Sequence, residues 1–84
     1  MVGGVDALTA VRSAVAIVCD VEPASLSRTT RFADLGADSL ARVSIADVVE
    51  ASLAESLHID DASLARMASL GELADYASAA VNGC

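Results

Sequence analysis

Apolar residues recur along this chain at helical spacing in separate stretches, divided by polar and turn-rich segments. In the first stretch Leu8, Val11, Val15 and Val18 fall at i, i+3, i+7 and i+10. That spacing predicts one buried face on a helix that Asp6 can cap and that runs to about Asp20. Arg12 and Ser13 fall on the opposite side, and Glu22-Pro23 ends the helix because the residue before a proline avoids helical angles. A second helix is predicted from Ser39 to about Glu55, with Asp38 as its N-cap. Its apolar positions, Leu40, Val43, Ile45, Ala46, Val48, Val49 and Leu53, cover more than one face. Such a helix is central in a bundle or carries a strip that binds a partner. A short third helix is expected over Asp61 to Arg66, started by Asp60 or Asp61. The last has the clearest local signal: Ser69-Leu70-Gly71-Glu72 is a capping box, the serine capping forward and the glutamate reaching back. Leu70, Leu73, Ala77 and Val81 then face inward, and Asn82-Gly83 is a C-terminal stop.

Residues 23–37 contain the one proline, clusters of Ser and Thr, and Gly36, and read as a long loop. Loops of that length are usually functional in a compact domain. Leu26, Phe32 and Leu35 are its expected anchors in the core. The fold class is all-α: a four-helix bundle of three longer helices and one short one, with a long loop between helices 1 and 2. The 84 residues make a single domain, 1–84, without internal repeats.

Composition narrows this further. Eighteen residues are alanine, with one Phe, one Tyr and no Trp, so close-packed helices around a thin core are expected. A chain this short buries only roughly 60 to 65% of the surface its unfolded form exposes, so its stability is modest. The net charge is −7, with five arginines and no lysine, which argues against nucleic acid or an anionic membrane as partner. An acidic surface instead suits partners with basic patches. Cys19 and Cys84 lie far apart and make neither a disulfide framework nor a zinc site. Cys19 is expected as a small buried hydrophobe and Cys84 as part of an exposed tail. The longest apolar run, Ala14 to Cys19, is far short of the roughly 20 residues that span a bilayer. With no basic region before that run, no secretory signal is expected, and cytoplasm is the default. The chain is expected to act as a monomer, and its own Met1 favours a free-standing protein.

Candidate chemistry centres on Phe32-Ala33-Asp34-Leu35-Gly36-Ala37-Asp38-Ser39-Leu40. A turn signal followed by Asp-Ser and an apolar run places a serine hydroxyl at the mouth of a helix, beside a carboxylate. A catalytic nucleophile there lacks a base, since the only histidine is His58, beyond the end of the same helix. No G-x-S-x-G elbow surrounds Ser39 either, because Ala37 stands two before it. A passive capping serine is common at helix starts, but Asp38 already suffices as cap. A third role is acceptor of a phosphodiester-linked arm. A helix N-terminus offers free N–H donors and partial positive charge, favouring a phosphate by roughly 0.3 to 1 kcal/mol. Asp38 opposes the phosphate slightly, but an adjacent carboxylate can help position a Mg²⁺-bound cofactor donor during transfer.

The same residues resemble the prosthetic-group site of acyl carrier proteins, and the helix order resembles that family over nearly the whole chain. The resemblance implies that Ser39 in Asp-Leu-Gly-Ala-Asp-Ser-Leu receives 4′-phosphopantetheine from coenzyme A through a phosphopantetheinyl transferase. It implies an acyl-carrier-protein-like bundle that is not an enzyme and presents thioester-bound intermediates to a ketosynthase, an acyltransferase or other acyl-processing enzymes. Asp34, Asp38, Leu40, Arg42, Val43, Asp47 and Glu50 would form the recognition surface, with no metal held by the chain. Housekeeping fatty-acid carriers resemble one another in a glutamate-rich second helix. Here that helix has only Asp47, Glu50 and Glu55, with Arg42 near its start and Ser44 and Ser52 where acids are frequent. A polyketide-type carrier in a specialised pathway is therefore favoured over a general fatty-acid carrier. Arg42 is either a solvated charge or a partner-selecting one. From another class, an unmodified helical interaction module would use the apolar strip of helix two.

Overall fold

The structure, a computed structural model, describes residues 6–53 and 57–82. Helix α1 spans Ala7–Cys19, α2 Ser39–Leu53, α3 Asp61–Arg66 and α4 Leu70–Asn82. These four helices are joined around one core, as the apolar spacing predicts. Expectations at Ala54, Glu55, Gly83 and Cys84 lie outside the described residues.

Each helix start is fixed by a side chain of suitable chemistry. Asp6 accepts the Thr9 backbone N–H at 2.9 Å and the Thr9 hydroxyl at 3.0 Å. Asp60 accepts the Ser63 N–H at 3.0 Å. Ser69 Oγ accepts the Glu72 N–H at 3.3 Å, while Glu72 reaches back to the Ala68 N–H at 3.2 Å. Glu72 thereby closes the capping box one residue earlier than the motif's usual partner, the cap residue itself.

Helix α1 stops by a device other than the one expected. Asp20 adopts the left-handed conformation (φ 56°, ψ 53°) and donates its N–H to the Ala16 carbonyl. Asp tolerates that region better than most residues, so the helix ends at Cys19, four residues before Pro23. Pro23 instead opens a 3₁₀ turn, Pro23–Ser25. Arg12 is not on a solvated face either. It is half-buried and donates from Nη2 to the Pro23 carbonyl at 3.0 Å, tying α1 to that turn. Val11 and Val15 are fully buried, while Leu8 and Val18 flank them half-buried. Cys19 is half-buried rather than buried, and its partial burial pushes the thiol pKa up, away from reactivity.

The 23–37 segment is a loop with structure of its own. A second 3₁₀ turn covers Ala33–Leu35, and Arg31 pairs with Ser69 as an isolated antiparallel bridge. Three backbone bonds rivet the segment to the start of α4. Phe32 N–H donates to Ala68 O at 3.0 Å, Leu70 N–H to Thr30 O at 2.9 Å, and Gly71 N–H to Arg28 O at 2.9 Å. Leu26 and Phe32 are buried as anchors, and Leu35 packs half-buried against the core.

The core joins Val11, Ala14 and Val15 of α1 with Ile45, Ala46 and Val49 of α2 and Leu70, Leu73, Ala74 and Ala77 of α4. Val81, expected to face inward, is 44% exposed. The last turn of α4 runs past the core, whose final member on this helix is Ala77. Helix α3 contributes Leu64, and the Tyr76 hydroxyl of α4 donates to its cap, Asp60, at 3.1 Å.

Gly71 is dictated by the close approach of loop and helix. A Cβ there would stand 2.9 Å from Arg28 O and 3.1 Å from Arg28 Cβ. Gly71→Ala is expected to lower stability by about 1–2 kcal/mol despite the better helix propensity of alanine, read as an earlier urea midpoint. Asp60 has its carboxyl held below the usual range by hydrogen bonds from Ser63 and then Tyr76. A carboxylate with a depressed folded pKa adds stability above its unfolded pKa of about 3.9 and loses it as pH falls through the folded value. Urea midpoints measured from pH 6 downward should therefore fall less steeply in Asp60→Asn than in the wild type.

Candidate functional site

The site begins with how the chain turns into α2. Gly36 takes φ 70° at the end of the 3₁₀ turn, a conformation that favours glycine, and donates to Ala33 O. Ala37 tucks into the core, and its N–H is held by Phe32 O at 3.1 Å. Asp38 follows as the cap: its Oδ1 accepts the Ala41 N–H at 2.9 Å, and its carbonyl accepts the Arg42 N–H at 3.0 Å. The capping work is thus done by Asp38 alone.

Ser39 is exposed at the first position of α2, and its hydroxyl has no hydrogen-bond partner among the described residues. The N–H groups of Ser39 and Leu40 likewise find no acceptor there. An unengaged alcohol and two open N–H donors at the positive end of a 15-residue helix suit a phosphate ester. No histidine stands beside Ser39 among the described residues. His58 is exposed and 4.0 Å from Glu50, on the far side of the helix from its start.

Beside Ser39 runs an open groove of about 580 Å³ between the start of α2 and α3. Ala37, Val43, Leu64 and Ala65 make its apolar wall, with Asp38, Arg42 and Asp61 as its charges. The contribution of α3 was not anticipated from the sequence, where the short helix had no role. The signal was present in Leu64 and Ala65, apolar neighbours on a helix too short to need two buried positions.

The recognition residues proposed from sequence are divided by the structure. Leu40 is 75% exposed and Val43 37%, so the apolar strip on α2 is real. With Asp47, also exposed, they occupy i, i+3 and i+7. Asp34 is exposed on the 3₁₀ turn that precedes the cap. Glu50 differs: it is half-buried, and its carboxylate accepts the Ile59 N–H at 2.8 Å, which fixes the approach to α3. Arg42 is not a solvated charge. It is half-buried, with its guanidinium carbon 5.1 Å from the centroid of the Phe32 ring and Nη1 3.4 Å from Met67 O.

No group of His, Cys, Asp and Glu able to hold a metal occurs among the described residues, and no described helix is long and apolar enough to cross a membrane.

A helical bundle that offers an unoccupied hydroxyl at a capped helix start has a match among known protein families. The family model for the phosphopantetheine attachment site matches residues 9–77, and the chain belongs to that family. Its members are carriers with covalently attached 4′-phosphopantetheine, so this is a carrier and not an unmodified helical module. No curated protein matches the chain.

Because the Ser39 hydroxyl bonds to nothing and Asp38 does the capping, the two substitutions should separate. Ser39→Ala is expected to unfold within about 0.5 kcal/mol of wild type, whereas Asp38→Ala should lose about 1 kcal/mol with fraying of the first turn of α2. Urea denaturation and amide exchange of Ala41 check both.

Proposed function

We propose that Ser39 is the attachment residue and that the protein carries acyl or polyketide intermediates as thioesters on the arm. The observation behind this reading is the free, exposed Ser39 hydroxyl at the start of α2, with the cap supplied by its neighbour. A serine ester transfers acyl groups poorly, whereas the thiol at the end of a pantetheine arm forms a reactive thioester. The chain supplies the tether, the groove and the docking strip, and the chemistry of chain building lies in its partners.

A specialised, polyketide-type pathway is the reading favoured within the family. The exposed face of α2 near Ser39 presents Leu40, Val43 and a single acid, Asp47, because Glu50 is turned to Ile59. Such a face docks through apolar contact more than through charge, which lowers steering toward strongly basic partners. The expected partners are a phosphopantetheinyl transferase, then a ketosynthase and an acyltransferase.

Intact-mass measurement after incubation with coenzyme A and a broad transferase tests the attachment. The wild type should gain one phosphopantetheine and Ser39→Ala none. Unchanged wild-type mass, with a control carrier loaded by the same transferase, would defeat the reading. Loaded protein offered to polyketide and fatty-acid ketosynthases should be elongated faster by the former, and Leu40→Ala should slow that step.

A further inference from the structure

We propose that Arg42 is an anion-binding residue that clamps the phosphodiester of the arm, a positioning role that rests on attachment at Ser39. Ser39 and Arg42 stand three residues apart on α2, which makes them neighbours on the helix surface at about 5–6 Å between Cβ atoms. Both line the same groove, and Arg42 is the one cation among its lining residues. The other charges there are the carboxylates of Asp38 and Asp61, which repel a phosphate. A phosphodiester on Ser39 therefore needs a counter-charge at this place, and Arg42 is the residue in position to give it.

The way the guanidinium is held supports the role. Its guanidinium carbon stands 5.1 Å from the centroid of the Phe32 ring, and Phe32 is fully buried, so the head group rests against a rigid neighbour. A guanidinium carries five N–H donors in a planar fork that suits an anion. Of those donors only Nη1 has a partner, the Met67 carbonyl at 3.4 Å, which is a long and weak contact. No carboxylate pairs with Arg42 among the described residues, in contrast to Arg28, whose Nη2 lies 2.7 Å from Asp75. Arg12, Arg31 and Arg66 likewise have no carboxylate partner there, so what singles out Arg42 is its place in the groove beside Ser39. With the two open N–H groups of Ser39 and Leu40, it completes a three-point cradle for phosphate oxygens. The arm that leaves such a cradle starts along the groove, past Val43 and Leu64, and not straight into solvent.

The test follows loading by intact mass and the clamp by magnetic resonance. In ¹⁵N-labelled protein, the Nε–Hε signal of Arg42, assigned by its loss in Arg42→Lys, should shift when the arm is added. The signals of the other four arginines should stay in place. The ³¹P signal of loaded Arg42→Gln should differ from that of loaded wild type, and Arg42→Lys should recover part of the difference. Raising the salt toward about 1 M, where the Debye length is about 3 Å, should move the wild-type ³¹P signal toward that of Arg42→Gln. A merely structural arginine would give no such salt response. Full mass gain with the Arg42 signal unmoved, and a ³¹P signal indifferent to Arg42→Gln, would overturn the clamp and leave the attachment intact. Absence of mass gain would overturn the attachment and the clamp together.

Discussion

Phe32 is the residue on which the geometry of the site depends. Its ring is fully buried, its N–H is donated to Ala68 O, and its carbonyl receives the N–H groups of Leu35 and Ala37. A single side chain of this size contributes about 1.5–3 kcal/mol when buried, and here it also sets the position of a loop. The 3₁₀ turn after it, the left-handed Gly36 and the Asp38 cap follow in a run too short to take another path. Ser39 is therefore placed by a residue seven positions earlier, and the Arg42 guanidinium lies 5.1 Å from the centroid of the same ring. Core packing and site geometry meet in one aromatic residue, in a chain that has only one other.

The charges are arranged around that frame with a clear division. Asp6, Asp38, Asp60 and Glu72 are spent on helix starts, and Glu50 on the approach to α3. Asp38 caps α2 yet stays exposed, so with Asp61 it still presents negative charge in the groove beside Ser39. What remains beside the serine is largely apolar, Leu40 and Val43, edged by Asp34 and Asp47.

Features written in local chemistry were legible in the sequence. The caps at Asp6, Asp38 and Asp60, the Ser69–Glu72 box and the loop anchors Leu26 and Phe32 each follow from one or two residue types at fixed spacing. What sequence could not supply was set by contacts far apart along the chain. The left-handed stop at Asp20 replaced the expected proline stop, because a local conformation with its own hydrogen bonds acts before Pro23 is reached. Arg12 and Val81 were misplaced by periodicity, since a loop folded over one and the core ended before the other. The groove belongs to the same class: it needs α3 beside α2, and Glu50–Ile59, Tyr76–Asp60, Arg42–Met67 and the burial of Leu64 bring them together.

The two walls of that groove are built to different standards. The side bearing Ser39 is backed by Phe32, by backbone bonds to α4 and by the buried face of α2. The opposite side is a six-residue helix whose one buried residue is Leu64, held at its ends by the Asp60 cap, the Tyr76 hydroxyl, the Glu50–Ile59 bond and the long Arg42–Met67 contact. A six-residue helix with one buried side chain has less to hold it than the 15-residue α2, which buries Ile45, Ala46 and Val49. On the proposed attachment at Ser39, the arm would begin from the better-braced wall, so its origin would keep one place for each enzyme that visits.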